Sequence, residues 1–138
     1  MRVIARFLVL AVALFAFPAA ADPTPEQRSA IVCVIQQQLD AFQKDDGVRA
    51  FSYASPHIQA MFRNPETFME MVSSGYKPVY RPQSVTFVDL MEREGRLIQN
   101  VTVVGPDGDA VLALYPMMQM PDGSWRIDGC TLVPLPKI

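Results

Sequence analysis

The chain has 138 residues and a mass of 15.4 kDa, which suits a single domain. Half of its residues are hydrophobic and 19% are charged, a balance that excludes a disordered chain and a coiled coil. Twelve basic and fourteen acidic residues give a net charge of −2, which argues against a nucleic-acid partner.

The first 21 residues have the pattern of a secretory signal peptide. Two basic residues, Arg2 and Arg6, precede an apolar run from Phe7 to Phe17, and Ala19 to Ala21 form a small-residue cleavage site. A helix over that run would reach only ~17 Å, well short of the ~30 Å apolar core of a bilayer. We therefore expect cleavage after residue 21, export to the periplasm or the medium, and a mature domain over 22–138 with no membrane span.

A long helix is predicted at the start of the mature domain. Thr24 followed by Pro25 and Gln27 is typical of a helix start closed by a capping box. Apolar residues then recur at helical spacing and form one stripe, up to a stop at residues 45–47. The stripe consists of Ile31, Ile35, Leu39 and Phe42.

Shorter helices follow in the sequence. A second helix is predicted over 48–54, and Ser55-Pro56 signals the start of a turn or short helix. Asn64-Pro65 begins a further helix that ends at Gly75. Residues 75–82 contain two prolines and are predicted to be an extended connector.

The second half of the chain has the pattern of an antiparallel meander. Short breaks containing glycine separate four strand-like runs, which favours hairpins. The runs are Ser84–Met91, Leu97–Val104, Ala110–Met120 and Trp125–Val133. Pro116 interrupts the third run, where it removes a backbone donor, so a bulge or a sheet edge is expected there. The fold class is therefore α+β, with three helices on one face of a curved four-strand sheet and a conical cavity between the two layers.

Four segments resemble a family of short exported bacterial proteins known only as a domain of unknown function. The segments are Leu39–Phe42 with Asp45-Asp46, Ala54–Pro56, Gly75-Tyr76 with Pro78–Pro82, and Asp122–Cys130. The last strand, with Trp125 after a glycine turn, is also similar to the nuclear-transport-factor-2-like superfamily of SnoaL-like and isomerase-like cones. The resemblance implies this cone fold and implies no activity, because one fold hosts many functions.

Cys33 and Cys130 are the only cysteines, and an oxidising compartment would favour a disulfide between them. The helical pattern opposes this pairing, because it places Cys33 on the side of the first helix away from the apolar stripe. Two buried free thiols and an intermolecular bond are the alternatives.

Tyr76, Tyr80 and Tyr115, together with Arg81, are candidates for the mouth of a pocket. Tyrosine offers an apolar ring and one hydroxyl, which suits the orientation of a small ligand. The alternative is that these tyrosines close the open end of the cone and pack on Pro78 and Pro82.

The strand pattern also indicates a candidate acid–base site inside the sheet. Asp89 and Gln99 both interrupt the apolar faces of their predicted strands, so each is expected to point inward. With a tyrosine, for which Tyr80 is the candidate, Asp89 would form a polar site in an apolar cone. A bulge near Val88 would instead turn Asp89 to solvent.

Neither a metal nor a cofactor is expected. His57 is the single histidine and is predicted to lie exposed after a helix cap. The methionines alternate with strand and helix residues, so they suit core packing better than copper binding.

The sequence favours a non-enzymatic exported module that binds a small apolar ligand or a protein partner. One alternative is a SnoaL-like enzyme for a small organic substrate, with Asp89 and a tyrosine as acid and base. Another is a structural envelope protein that forms a homodimer through its sheet.

Overall fold

The computed structural model of the protein describes residues 22–137 and the single residue 13. The predicted signal peptide, residues 1–21, therefore lies outside the described residues except at that one position. Across the described part the chain is α+β, with helices first and an antiparallel sheet after them. No helix in that part is long and apolar enough to cross a membrane.

The helical half begins with one long helix. The helices are α1 Pro25–Gln43, α2 Gly47–Ser52, α3 Pro56–Phe62, α4 Pro65–Gly75 and α5 Lys77–Tyr80. Thr24, Asp46, Ser55 and Asn64 begin the first four, because each side chain accepts a hydrogen bond from a backbone N–H of the first turn. The capping box predicted for Thr24 and Gln27 is confirmed.

The predicted count of three helices is wrong, because residues 22–137 form five. The segment after Ser55 is a complete helix, α3, which that serine caps. The connector predicted to be extended contains the short helix α5. Its Pro78 lies in the first turn, where backbone N–H groups have no acceptor within the helix. Proline therefore costs the helix no hydrogen bond at this position.

The strands are β1 Ser84–Arg93, β2 Arg96–Val104, β3 Ala110–Gln119, β4 Trp125–Ile127 and β5 Thr131–Pro134. The order is β1-β2-β3-β4, all antiparallel, and β5 pairs with β3 on the same side as β4. Glu94 and Gly95 join β1 to β2 with φ angles of 53° and 77°. Two positive φ angles in a two-residue loop match the twist of antiparallel strands.

The predicted single fourth strand is wrong, because Pro116 splits it in two. Met117 pairs with Ile127 in β4, and Leu114 pairs with Thr131 in β5. Because proline has no N–H to donate, the segment 128–130 opposite it leaves the ladder of backbone hydrogen bonds with β3. One hydrogen bond, from the Asp128 N–H to the Pro116 carbonyl at 2.8 Å, is kept there.

The core lies between α1 and the inner face of the sheet. Ile31, Ile35, Val101 and Val103 are each 0% exposed, and the predicted stripe of α1 lies within this core. The loop between α2 and α3 is tied to β4 through a parallel bridge from Ala54 to Ile127. Helices and sheet therefore share one apolar core and one backbone junction.

Candidate functional site

A cavity of about 440 Å³ lies between the helices and the broken edge of the sheet. Its apolar side is built from α1, α3, α4 and α5, and its other side from the end of β3 and the 127–131 segment. The apolar lining residues are Phe42, Ala54, Ile58, Met61, Phe62, Phe68, Met71, Val72, Val79, Pro116 and Ile127. The break opposite Pro116 is thus what leaves room between the two layers.

Phe68 of α4 organises the aromatic part of this wall. Its ring centroid lies 6.2 Å from that of Phe42 and 5.7 Å from that of Phe62, in a tilted and an edge-on arrangement. Asn64 fixes the start of α4 by accepting a hydrogen bond from the Thr67 N–H at 2.8 Å. The cap therefore sets the position of Phe68 in the cavity wall.

The polar end of the cavity is formed by Tyr115, Cys130 and Tyr76. Tyr115 is 1% exposed, and its hydroxyl lies beside the Cys130 thiol. That hydroxyl has no hydrogen bond of regular geometry to any described residue. An unpartnered buried hydroxyl is costly, so the polar end is suited to a further partner.

Burial keeps the groups of the polar end in their neutral forms. It raises the pKa of Tyr115 well above the ordinary value and raises that of the Cys130 thiol to about 12. The pKa of Tyr76 is also raised, first by burial and then by its proximity to Cys130. At neutral pH these three residues therefore offer hydrogen-bond donors without charge.

Asp128 is the carboxylate that lines the cavity among the described residues, and it is already engaged. One of its oxygens accepts a hydrogen bond from the Ser55 Oγ at 2.5 Å, and the other pairs with Arg96. Ser55 is 0% exposed and also caps α3. Asp128 thus joins the helical layer to the sheet at the rim of the cavity.

The sequence matches, over residues 24–138, the family described as Domain of unknown function (DUF4864). The chain belongs to this family. Comparison with curated proteins and with solved structures finds no match. The function of this DUF4864 domain is therefore inferred from its cavity and not from a relative of known activity.

Two of the candidate pocket residues, Tyr80 and Arg81, lie outside the cavity of the DUF4864 domain. Tyr80 donates a hydrogen bond to Asp45, and Arg81 donates to both Asp45 carboxylate oxygens at 2.9 and 3.0 Å. Arg81 also donates to the Phe42 carbonyl at 2.5 Å and stacks 3.9 Å above the Tyr80 ring. These side chains fasten α5 to the end of α1 and do not face the cavity.

Asp89 does not point inward as expected. A bulge between Phe87 and Asp89 shifts the register, and both Val88 and Asp89 are exposed. Gln99 is buried, but its amide donates at 3.0 Å to the carbonyls of Asp89 and Asn100. Gln99 therefore satisfies the backbone of the bulge and does not line the cavity, and Asp89 does not join Tyr80.

The candidate disulfide between Cys33 and Cys130 is not present, because both cysteines are free. Cys33 is exposed on the outer side of α1, as the helical pattern indicated, and accepts a hydrogen bond from Gln37. Cys130 instead lines the cavity. The two thiols lie on different sides of the α1 layer, which prevents an intramolecular bond.

Sequence reasoning missed the role of the 128–130 segment in the site. The sequence pattern makes Cys130 a candidate disulfide partner and gives no indication that Asp128 lines a cavity. Pro116 was the available signal, because the residues opposite a proline cannot all pair with it. His57 is exposed near the start of α3, as predicted.

Proposed function

We propose that this domain is an exported, non-enzymatic module that binds a small apolar ligand, and that its fold is a cone of the nuclear-transport-factor-2-like kind. The observation that carries the proposal is the cavity of about 440 Å³ with its mostly apolar lining. Helices followed by an antiparallel sheet, with a cavity between them, support the cone. The signal pattern in residues 1–21 supports export.

The size of the cavity suits a small molecule. Ligand sites commonly enclose roughly 300–1,000 Å³ and are lined mainly by apolar and aromatic side chains. At ~30 Å³ for each non-hydrogen atom, as in liquid water, the cavity holds about 15 such atoms, and somewhat more when they are bonded into one molecule and lie closer together. Burying an apolar molecule of that size here is favoured by the hydrophobic effect.

Ligand binding accounts for this cavity better than acid–base catalysis does. A general base must lie within hydrogen-bond reach of the proton that it takes. Asp128 is held at the rim by Ser55 on one oxygen and Arg96 on the other, and Asp89 is exposed on β1, outside the cavity lining. The enzyme reading would regain support if a substrate were turned over by the wild-type protein but not by an Asp128→Asn variant.

The test is binding of N-phenyl-1-naphthylamine, an uncharged apolar probe whose fluorescence rises in an apolar site. We expect saturable binding to the wild-type protein. A Met71→Trp variant, which places a large ring in the cavity, should lose it. Val48→Trp is the matched control, because Val48 is 71% exposed and lies outside the cavity lining.

Equal binding by all three proteins would show that the probe sits elsewhere and would refute the proposal. No binding to the wild-type protein would refute it as well. Circular dichroism of each variant identifies a loss caused by unfolding. A dimer seen by sedimentation, without probe binding, would favour the structural reading in which copies associate through the sheet.

Export is tested separately by the intact mass of the protein recovered from its producing cell. Removal of residues 1–21 is expected, so the mass should correspond to a chain that begins at Asp22. A full-length chain in the cytoplasm would refute export and leave the ligand proposal unaffected.

A further inference from the structure

We infer that the ligand is an uncharged, mainly apolar molecule with one hydrogen-bond acceptor, such as a ketone, ester or ether oxygen, that accepts from the Tyr115 hydroxyl. This inference rests on the proposed function and specifies the chemistry of its ligand. It depends on the position of one buried hydroxyl and on the charges of the residues around the cavity.

Tyr115 lies at the polar end of the cavity. Its side chain comes from the inner face of β3, is 1% exposed, and contributes to the cavity wall. Its hydroxyl has no regular hydrogen-bond partner among the described residues, although most buried hydroxyls in proteins have one. The neighbouring Cys130 sulfur is only a weak acceptor. An oxygen of the ligand would supply the missing partner.

The described lining of the cavity offers no free charge to a ligand. Within the described residues no lysine, arginine or histidine lines the cavity, so nothing there neutralises an anionic ligand. Asp128 at the rim is paired with Arg96, so it offers no free charge to a cationic ligand either. Burying an unpaired charge in such a site costs several kcal/mol.

The part of the cavity wall that faces the helices is mainly apolar. It consists largely of Phe42, Phe62, Phe68 and Val72. The polar Gln38 of α1 already donates its amide to the Ala50 carbonyl at 3.1 Å. A ligand that reaches Tyr115 must therefore place its apolar part against α1, α3 and α4. A ligand of about 15 non-hydrogen atoms, with an acceptor at one end and an otherwise apolar body, matches this arrangement.

The test compares three probes by titration calorimetry with the complete mature protein. Benzophenone has an acceptor carbonyl, diphenylmethane has the same two rings without it, and diphenylacetate carries a negative charge. We expect benzophenone to bind about tenfold more tightly than diphenylmethane, equivalent to about 1.4 kcal/mol. Diphenylacetate should show no binding.

Two variants locate the hydrogen bond. Tyr115→Phe should abolish the preference for benzophenone, because it removes the hydroxyl and keeps the ring. Tyr53→Phe makes the same chemical change outside the cavity, where the Tyr53 hydroxyl donates to Gln37, and should keep the preference. Loss of the preference in a Tyr76→Phe variant, with the preference kept in Tyr115→Phe, would overturn the assignment to Tyr115.

The outcomes separate this inference from the proposed function. Equal affinity for benzophenone and diphenylmethane in the wild-type protein would refute the hydrogen bond and leave an apolar binding cavity. Tight binding of diphenylacetate would refute the uncharged ligand. If none of the probes binds the wild-type protein, and N-phenyl-1-naphthylamine also fails, both the inference and the proposed function are wrong.

Discussion

At the scale of single residues, burial decides which chemistry Cys130 and Tyr115 can perform. Both groups are weak acids whose charged forms lose hydration in the cavity, so their pKa values rise. A thiol is nucleophilic only as a thiolate. Cys130 is therefore an unreactive thiol at neutral pH, and Tyr115 is a donor rather than an anion.

The two cysteines should consequently differ in reactivity. With Ellman's reagent at pH 8 we expect one fast thiol in the native protein, Cys33, because it is exposed. Cys130, with its pKa raised to about 12, should react only after unfolding in urea. A Cys33→Ser variant should show no fast thiol. If no thiol reacts even in urea, the cysteines are oxidised and the free thiols described above are wrong.

The Asp45 carboxylate gives a pH-dependent contribution to stability. Hydrogen bonds from Tyr80 and then from Arg81 lower its pKa below the ordinary 3.8. Because the folded pKa is depressed, the contribution is present above pH 3.8 and is lost as the pH falls through the folded value.

An Asp45→Asn variant should thus have a lower urea midpoint than the wild-type protein at pH 7. The difference should shrink below pH 3.8, as the wild-type carboxylate is protonated. Glu92→Gln, a change at an exposed residue of β1, should show no such difference. A gap between Asp45→Asn and wild type that persists unchanged at low pH would argue against the carboxylate as its source.

Sequence patterns could not reveal which tyrosines face the cavity. Tyr76 and Tyr80 lie one helical turn apart, yet only Tyr76 lines it. Tyr80 is held by Asp45, which lies 35 residues earlier and has a positive φ of 50°. Neither the unusual backbone of Asp45 nor a contact over that separation follows from local periodicity.

At the scale of elements, Pro116 and Gly129 determine the shape of the sheet edge. The segment 128–130 crosses in front of Pro116, and Gly129 adopts φ of 151° there. A Cβ at Gly129 would make only an ordinary van der Waals contact, 3.4 Å from the Pro116 Cγ. The crossing between β4 and β5 therefore depends on glycine through this backbone conformation, which residues with a side chain rarely adopt.

Gly129→Ala should destabilise the domain by about 1–3 kcal/mol, because alanine rarely adopts this backbone conformation. Gly75→Ala is the matched control, since a Cβ there meets nothing within 4 Å. It should leave stability unchanged or raise it by up to ~1 kcal/mol. Urea unfolding of both variants measures the difference, and equal stabilities would contradict the role given to Gly129.

Most helix starts and hairpin turns were predictable, because capping residues and glycine turns act over three or four positions. Thr24, Ser55 and Asn64 are examples among the caps. The split of the last strand was not, because its cause lies in a different strand. Pro116 affects 128–130 only once β3 and the final segment are paired.

At the scale of the whole molecule, the helices and the sheet share a single hydrophobic core. Ile35 and Leu39 of α1 share the core with Val101 and Tyr115 of the sheet. The Ser55 N–H donates to the Ile127 carbonyl at 2.8 Å, so the junction also includes the backbone. Neither half has a core of its own.

Unfolding should therefore be two-state. Ellipticity at 222 nm reports mainly on the helices, and the fluorescence of Trp125, the single tryptophan, reports on β4. The two signals should give the same urea midpoint within error. A midpoint for Trp125 clearly below that of the helices would show that the sheet edge unfolds independently.

The hydrogen bond between Ser55 and Asp128 joins residues that lie 73 positions apart in the sequence. During synthesis it can form only after Asp128 has left the ribosome. The helices leave the ribosome first, but the surfaces that cover their apolar sides come from strands made last. Long-range contacts of this kind form slowly, because a large loop must close before any of them is gained. A nascent chain that stops before Trp125 thus exposes apolar surface on its helices. The protein therefore stays incompletely folded, and accessible to a chaperone, during nearly all of its translation.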